Sequence, residues 1–242
     1  MRVALCLSGF PRTMKYGFPY LKKYLLDELG PDVFYFGYED NHVKKGDIQD
    51  FYKAKKCVAR EFNAEVMDEI WHAYGTKQTK NVVCARGRDA VLSQYYNVYN
   101  SNGLKSEYEK ENGFIYDVVI RARTDYYFFR KIDPEELEVK RMEVCIPTLW
   151  DFGGVSSGFA YGDSHTMNIY SNLFNRIAEY NLIDGFRLHP ESIKGYHLQK
   201  NNVTRVPIRN HYWWELTDFS HNGNENSYIK GLITNPSRRN FL

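Results

Sequence analysis

The chain has 242 residues, 43% hydrophobic and 26% charged, a balance that suits one globular domain with a core built without disulfide or metal staples. A formal net charge of +2 is too small to argue for nucleic acid or an anionic membrane as the partner. No apolar run approaches the ~18 residues needed to span a bilayer, and the opening MRVALCLSGF is too poor in apolar residues for a secretory signal, so a soluble, cytoplasmic protein is expected.

Residues 2–7 read as a first strand, closed by the turn Ser8-Gly9-Phe10-Pro11. Residues 16–29 place Leu21, Tyr24, Leu25 and Leu29 on one helical face, with Gly30 as the stop and Pro31 beyond it. DVFYFGY, 32–38, is an aromatic strand, and the lysine-rich stretch 39–62 reads as surface loop and helix. A short helix is expected over 64–74 and a longer one over 90–108, where Val91, Tyr95, Val98 and Tyr99 are in register, with Asn112-Gly113 as its break.

Residues 116–122 form a second buried strand, almost wholly apolar as parallel strands tend to be. Asp133-Pro134-Glu135 marks a turn or helix start, 143–147 a third buried strand, and 150–158 a loop rich in glycine and serine. A short strand at 158–161 leads to Asp163, placed to cap a helix over 164–180. His189-Pro190-Glu191 opens another helix, with proline and an acid in its first turn, and 203–208 is a last strand. Strands alternating with helices predict an α/β fold with a mainly parallel sheet flanked by helices, and ligands in such sheets sit at the carboxyl ends of the strands.

The four cysteines, Cys6, Cys57, Cys84 and Cys145, are far apart and form no CxxC, which reads as buried free thiols in a reducing compartment. Tyrosines number 20 and phenylalanines 15; most belong to a core, though a tyrosine-rich surface also suits sugars.

The chemistry concentrates at 118–128, VVIRARTDYYF, where Arg121, Arg123 and Asp125 stand at the end of an apolar strand. Ionised groups there need partners. Either they pair with one another and fix the strand end, or the carboxylate holds a divalent metal while the arginines meet phosphate, together a diphosphate site. Ser8-Gly9-Phe10-Pro11-Arg12 ends the first strand in the same way, with a glycine that lets a ligand approach the backbone; GxGxxG and the Walker A lysine are both absent.

The order LCLSGFPRT, SQYYNVYNSN (93–102), YDVVIRARTDYYF (116–128), SSGFAYGDSHTMNIYSNLF (156–174) and LHPESIKGYHL (188–198) resembles glycosyltransferases of the GT-A fold, closest to the type found in bacterial lipopolysaccharide synthesis and in large DNA viruses. The resemblance runs over about residues 1–215. It implies a single GT-A-like domain over 1–220, with 221–242 an irregular tail, and a nucleotide-diphosphate sugar donor of UDP or GDP type bound across the first half of the sheet. The acceptor would be a glycan hydroxyl. Ser8, Gly9, Arg12 and Gln94 would face the nucleotide, and Arg121 and Arg123 its phosphates.

R-x-R-x-D would replace the usual Asp-x-Asp signature, with Asp125 as the acid that holds Mn2+ or Mg2+ and the late His211 as a second ligand. Arg123 stands where the first aspartate would be, so either the metal is weakly held or arginine substitutes for it. Relatives often carry an aspartate just before the Phe-Ala-x-Gly strand, where this chain has Ser156, Ser157 and Gly158; Asp151 or the serine hydroxyls would act instead. Glu191, at the start of a late helix, would be the base that deprotonates the acceptor. Two other readings stay open: a catalytically silent glycan- or nucleotide-binding module, and a nucleotidyltransferase, which would want more acids near 118–128.

Overall fold

A computed structural model describes residues 1–40, 43–72, 74–76, 79–85, 87–148 and 151–208, together with the backbone of 213–215. The nine strands it assigns there are β1 Val3–Gly9, β2 Asp32–Tyr38, β3 Lys56–Arg60, β4 Val118–Arg123, β5 Tyr126–Phe128, β6 Glu143–Pro147, β7 Ala160–Gly162, β8 Thr204–Ile208 and β9 Trp213–Glu215. Seven make one sheet in the order β3-β2-β1-β4-β7-β6-β8. β1 to β4 are parallel, β6 and β8 are parallel, and β7 runs antiparallel to both β4 and β6. The α/β architecture with a mainly parallel sheet is therefore as expected.

The sheet is covered on both faces, which is why its strands read as unbroken apolar runs. Along β1 the side chains alternate: Val3, Leu5 and Leu7 join one core cluster, while Ala4 and Cys6 join the other. The first face is covered by the helix α1 Met14–Leu21, which continues through a π-helical turn Lys22–Leu26 into a closing turn α2 Asp27–Leu29. This is the helix expected at 16–29. It starts two residues earlier and carries Pro19 inside, one turn ahead of the π-helical segment that keeps Leu25 buried. Gly30 ends it in the left-handed conformation, φ 55°. The lysine-rich stretch after β2 holds α3 Lys45–Tyr52, as foreseen, and also the edge strand β3, which was not.

On the other face lie α4 Glu65–His72, the long α5 Arg88–Asn112, α6 Ser164–Ser171, α7 Ile177–Leu182 and α8 Pro190–Lys200. Asp163 caps α6 by accepting the Thr166 N–H at 2.6 Å, as its position predicts. The helix expected over 164–180 is in fact two, joined by a 3-10 turn at Asn172–Arg176. The expected strand 158–161 is shifted to 160–162. Beyond the main sheet, β5 pairs with β9 in a two-stranded ribbon that the sequence reading did not include.

Three buried groups show how polar atoms are accommodated. Lys105 of α5 donates to Glu109 Oε2 at 3.0 Å, Ser164 Oγ at 2.6 Å and Asn168 Oδ1 at 2.9 Å, tying α5 to α6 with a satisfied network. The Cys6 thiol beside it is pushed up to about 12 by burial, so it is an inert core sulfur. Cys145 is likewise buried, Cys57 and Cys84 are half-buried, and all four are free.

His197 of α8 accepts from Tyr180 OH at 3.0 Å through Nδ1 and donates Nε2–H to the Ile169 carbonyl at 2.7 Å. Burial, then the nearby charge of Lys194, depresses its pKa to about 3 from the ordinary imidazole value of about 6.5. Between these two values the unfolded chain binds the proton and the folded one does not, so stability falls as pH drops through that window. Urea titrations between pH 7 and 4 should show this loss, and His197→Gln should flatten the slope; an unchanged slope would mean that other groups carry it.

Candidate active site

The chain leaves β1 toward β2 and β3 on one side, then returns to place β4 on the other side of β1. In an open α/β sheet such a reversal opens a crevice at the carboxyl ends of the two strands. Here the crevice is a cleft of about 230 Å³. One wall is the exit of β1, with Ser8, Gly9, Phe10 and Arg12; the opposite wall is the end of β4, with Arg121, Arg123 and Asp125. The N-terminal half of α5 closes the side through Ser93, Gln94 and Asn97, and Cys84 and Pro190 complete the rim.

Local sequence explains the shape of the β1 exit. Gly9 has φ 110°, a conformation that favours glycine, and Arg12 is held at φ 35°, uncommon for a long side chain. Tyr35 OH fixes the turn, 2.9 Å from the Gly9 carbonyl and 2.9 Å from that of Tyr38. Gly37 makes room for this: a Cβ there would lie 2.1 Å from the Gly9 carbonyl oxygen. Thr124 Oγ1 donates to the Phe10 carbonyl at 3.0 Å and locks the two walls together.

Asp125 is 1% exposed. Its Oδ1 accepts from Arg123 Nε at 2.8 Å, and its Oδ2 from Arg123 Nη2 at 2.6 Å and Arg12 Nη1 at 3.3 Å. Arg121, two residues before Arg123 and on the same face of β4, is 2% exposed and donates Nη1 to the Ser157 carbonyl. Beneath it lies Lys194, fully buried, over the rings of Tyr170 at 3.7 Å and Tyr95 at 4.7 Å. Burial, then the Arg121 charge, holds the Lys194 amine well below its usual range. Ser8 Oγ, Asn97 Oδ1 and Arg121 Nε, all on cleft-lining residues, find no hydrogen-bond partner among the described residues.

The sequence candidates divide as follows. Ser8, Gly9, Arg12 and Gln94 line the cleft, and so do Arg121, Arg123 and Asp125. Glu191 follows cleft-lining Pro190; its Oε1 accepts from Ser157 Oγ at 3.0 Å, and its Oε2 lies 3.6 Å from His189 Nδ1. Asp151 is exposed and does not line the cleft; its carboxylate accepts the Gly153 N–H at 3.2 Å, an ordinary turn contact. His211 lies outside the described residues, as does the stretch 221–242. Asn97 was missed, although it belongs to the motif SQYYN and stands on the same face of α5 as Ser93. At Gly158 a Cβ would lie 1.5 Å from the Tyr126 hydroxyl, so no aspartate fits there as the fold stands.

A divalent ion does not fit the described donors. Mg2+ and Mn2+ need several oxygen or imidazole ligands with lone pairs turned to the ion. Both oxygens of Asp125 are bonded to guanidinium groups, and among the described residues no group of three His, Cys, Asp or Glu gathers anywhere.

Residues 1–212 match a family model described as a domain of unknown function, DUF7796. The chain belongs to that family. The DUF7796 match takes in every described residue of the cleft. No curated protein matches the chain. Among solved structures, mouse xyloside xylosyltransferase 1 in its apo form is similar at 13% identity over 86% of this chain and 84% of that one, with a TM-score of 0.44. No helix among the described residues is long and apolar enough to cross a membrane.

Proposed function

We propose that this protein transfers a glycosyl group from a nucleotide-diphosphate sugar to a hydroxyl of a glycan, with the donor bound in the cleft between the ends of β1 and β4. The cleft itself supports the reading: at the reversal of strand order, three guanidinium groups and one carboxylate line it among the described residues. A diphosphate supplies the anion that this excess charge favours, and guanidinium suits it through paired N–H donors. Ribose and sugar hydroxyls can both give and take hydrogen bonds, matching the orphaned atoms of Ser8, Asn97 and Arg121. The motif order that resembles GT-A glycosyltransferases points the same way.

In this reaction the bond from the anomeric carbon to the diphosphate oxygen breaks, and its electron pair leaves with the diphosphate. Arg12, Arg121 and Arg123 stand where that charge develops and need no reorganisation to meet it. The acceptor oxygen bonds to the anomeric carbon, and its proton passes to Glu191. Ser157 and His189 hold that carboxylate at the rim.

A silent binding module is the second reading, favoured by the fact that Glu191 borders the cleft without lining it. Incubation with UDP-, GDP- and dTDP-sugars, and a CMP-sugar as a one-phosphate control, separates the two. The enzyme should release free nucleotide from at least one diphosphate donor. Glu191→Gln should slow that release about 100-fold or more, the usual worth of a general base, while the donor still raises the melting temperature. Stabilisation by a donor without any release would establish the binding module instead.

A further inference from the structure

We infer that the cleft holds its diphosphate through guanidinium groups without a divalent cation, and that Asp125 is the counter-ion that positions them. This rests on the proposed function and deepens it.

The geometry carries the argument. A carboxylate that ligates Mg2+ or Mn2+ turns at least one oxygen lone pair toward the metal, in a shell of further oxygens. Asp125 instead engages both oxygens with Arg123 in a two-point fork, and Oδ2 accepts from Arg12 as well. A dication at either oxygen would stand beside two fixed positive charges. Among the described residues, two other acids near β4 are committed elsewhere. Asp117, at the far end of β4, accepts the Arg2 N–H, and Glu191 accepts from Ser157. The third guanidinium, Arg121, is anchored on the Ser157 carbonyl from the same face of β4.

The result is a preorganised set. Arg123 is fixed by the fork, Arg12 by its contact with Oδ2, and Arg121 by the loop that precedes β7. These are the roles a metal otherwise fills at a diphosphate: concentrating positive charge and fixing its direction. Asp125 therefore acts through the arginines and does not itself touch the phosphates.

The test is titration calorimetry of the full chain with inorganic pyrophosphate and with UDP and GDP, in EDTA and then in Mn2+. Binding in EDTA should be at least as tight as in Mn2+. Arg123→Ala should weaken it by about tenfold or more, the scale of one lost charged hydrogen-bonded pair. Exposed Arg12→Ala, which carries little risk to folding, should weaken it by about threefold to tenfold on the same grounds. Asp125→Asn keeps an acceptor for the Arg123 fork, so metal-free binding should survive within about fivefold. Asp125→Ala, which has no acceptor, should lose more.

Binding that appears only with Mn2+ and vanishes in Asp125→Asn would overturn the inference and leave the transferase reading standing. Saturable binding of Mn2+ alone to the wild type, followed by electron paramagnetic resonance and absent from Asp125→Asn, would overturn it in the same way. No binding of any diphosphate, with or without Mn2+, would overturn the transferase reading itself and this inference with it.

Discussion

Replacing Arg121 by methionine is expected to cut turnover about 1,000-fold while leaving the folded protein nearly as stable as the wild type. The loss has two sources. One is removal of a buried guanidinium from the place where leaving-group charge develops, an effect worth about 3–4 kcal/mol in comparable anion sites. The other is release of the Ser157 carbonyl, and with it the hydroxyl that orients Glu191. Stability should hold because Arg121 Nε has no partner among the described residues and the nearby Lys194 amine is unfavourable company for its charge. Removing a buried charge and leaving the Ser157 carbonyl without its donor act in opposite directions, so the net change should stay within about 2 kcal/mol. Kinetics of nucleotide release alongside a urea melt measure both halves. A variant that keeps activity, or one that loses activity only because it unfolds, would contradict this role.

Gly37→Ala is expected to act in the opposite sense, through structure first. Its Cβ would meet the Gly9 carbonyl oxygen at 2.1 Å and the Tyr35 hydroxyl at 2.5 Å. Backbone on one side and a phenol held between two carbonyls on the other leave little room to relax. Overpacking of this kind together with a broken buried hydrogen bond costs about 3 kcal/mol or more. For a chain of this size that corresponds to a melting temperature about 10 °C lower. Because the Gly9 carbonyl belongs to the cleft wall, donor affinity should fall as well. A scanning-calorimetry trace within 2–3 °C of wild type, on the same scale, would show that β1 and β2 separate more easily than the packing implies.

The two cases show what the chain reveals before it is folded. The expected strands 2–7, 32–38, 116–122 and 143–147 stood out because a sheet covered on both faces demands apolar side chains at every position. β3 did not. As an edge strand it is short and sets Cys57, Val58 and Ala59 between Lys56 and Arg60, charges of the kind that keep an edge from pairing with other chains, and in sequence it looks like surface. The ribbon of β5 and β9 depends on a pairing between residues about 90 apart, which no local pattern announces.

For the site, Arg121, Arg123 and Asp125 were legible because charge at the end of an apolar strand needs an explanation. Asn97 was hidden in a helix so rich in tyrosine that its polar face did not register. Asp151 misled for the converse reason. An acid in a glycine-rich loop looks available, yet its carboxylate serves the turn that bears it. The need for glycine at 37 and 158 is steric and three-dimensional, set by Gly9 and Tyr126, and has no signature in the neighbouring sequence.

The central claim is that the cleft between β1 and β4 receives a diphosphate. A crystal structure of the protein soaked with a nucleoside diphosphate tests it most directly. The account predicts both phosphates among Arg12, Arg121 and Arg123, with the fork between Arg123 and Asp125 still closed behind them. Phosphates bound at another place, with this cleft holding only water, would contradict it.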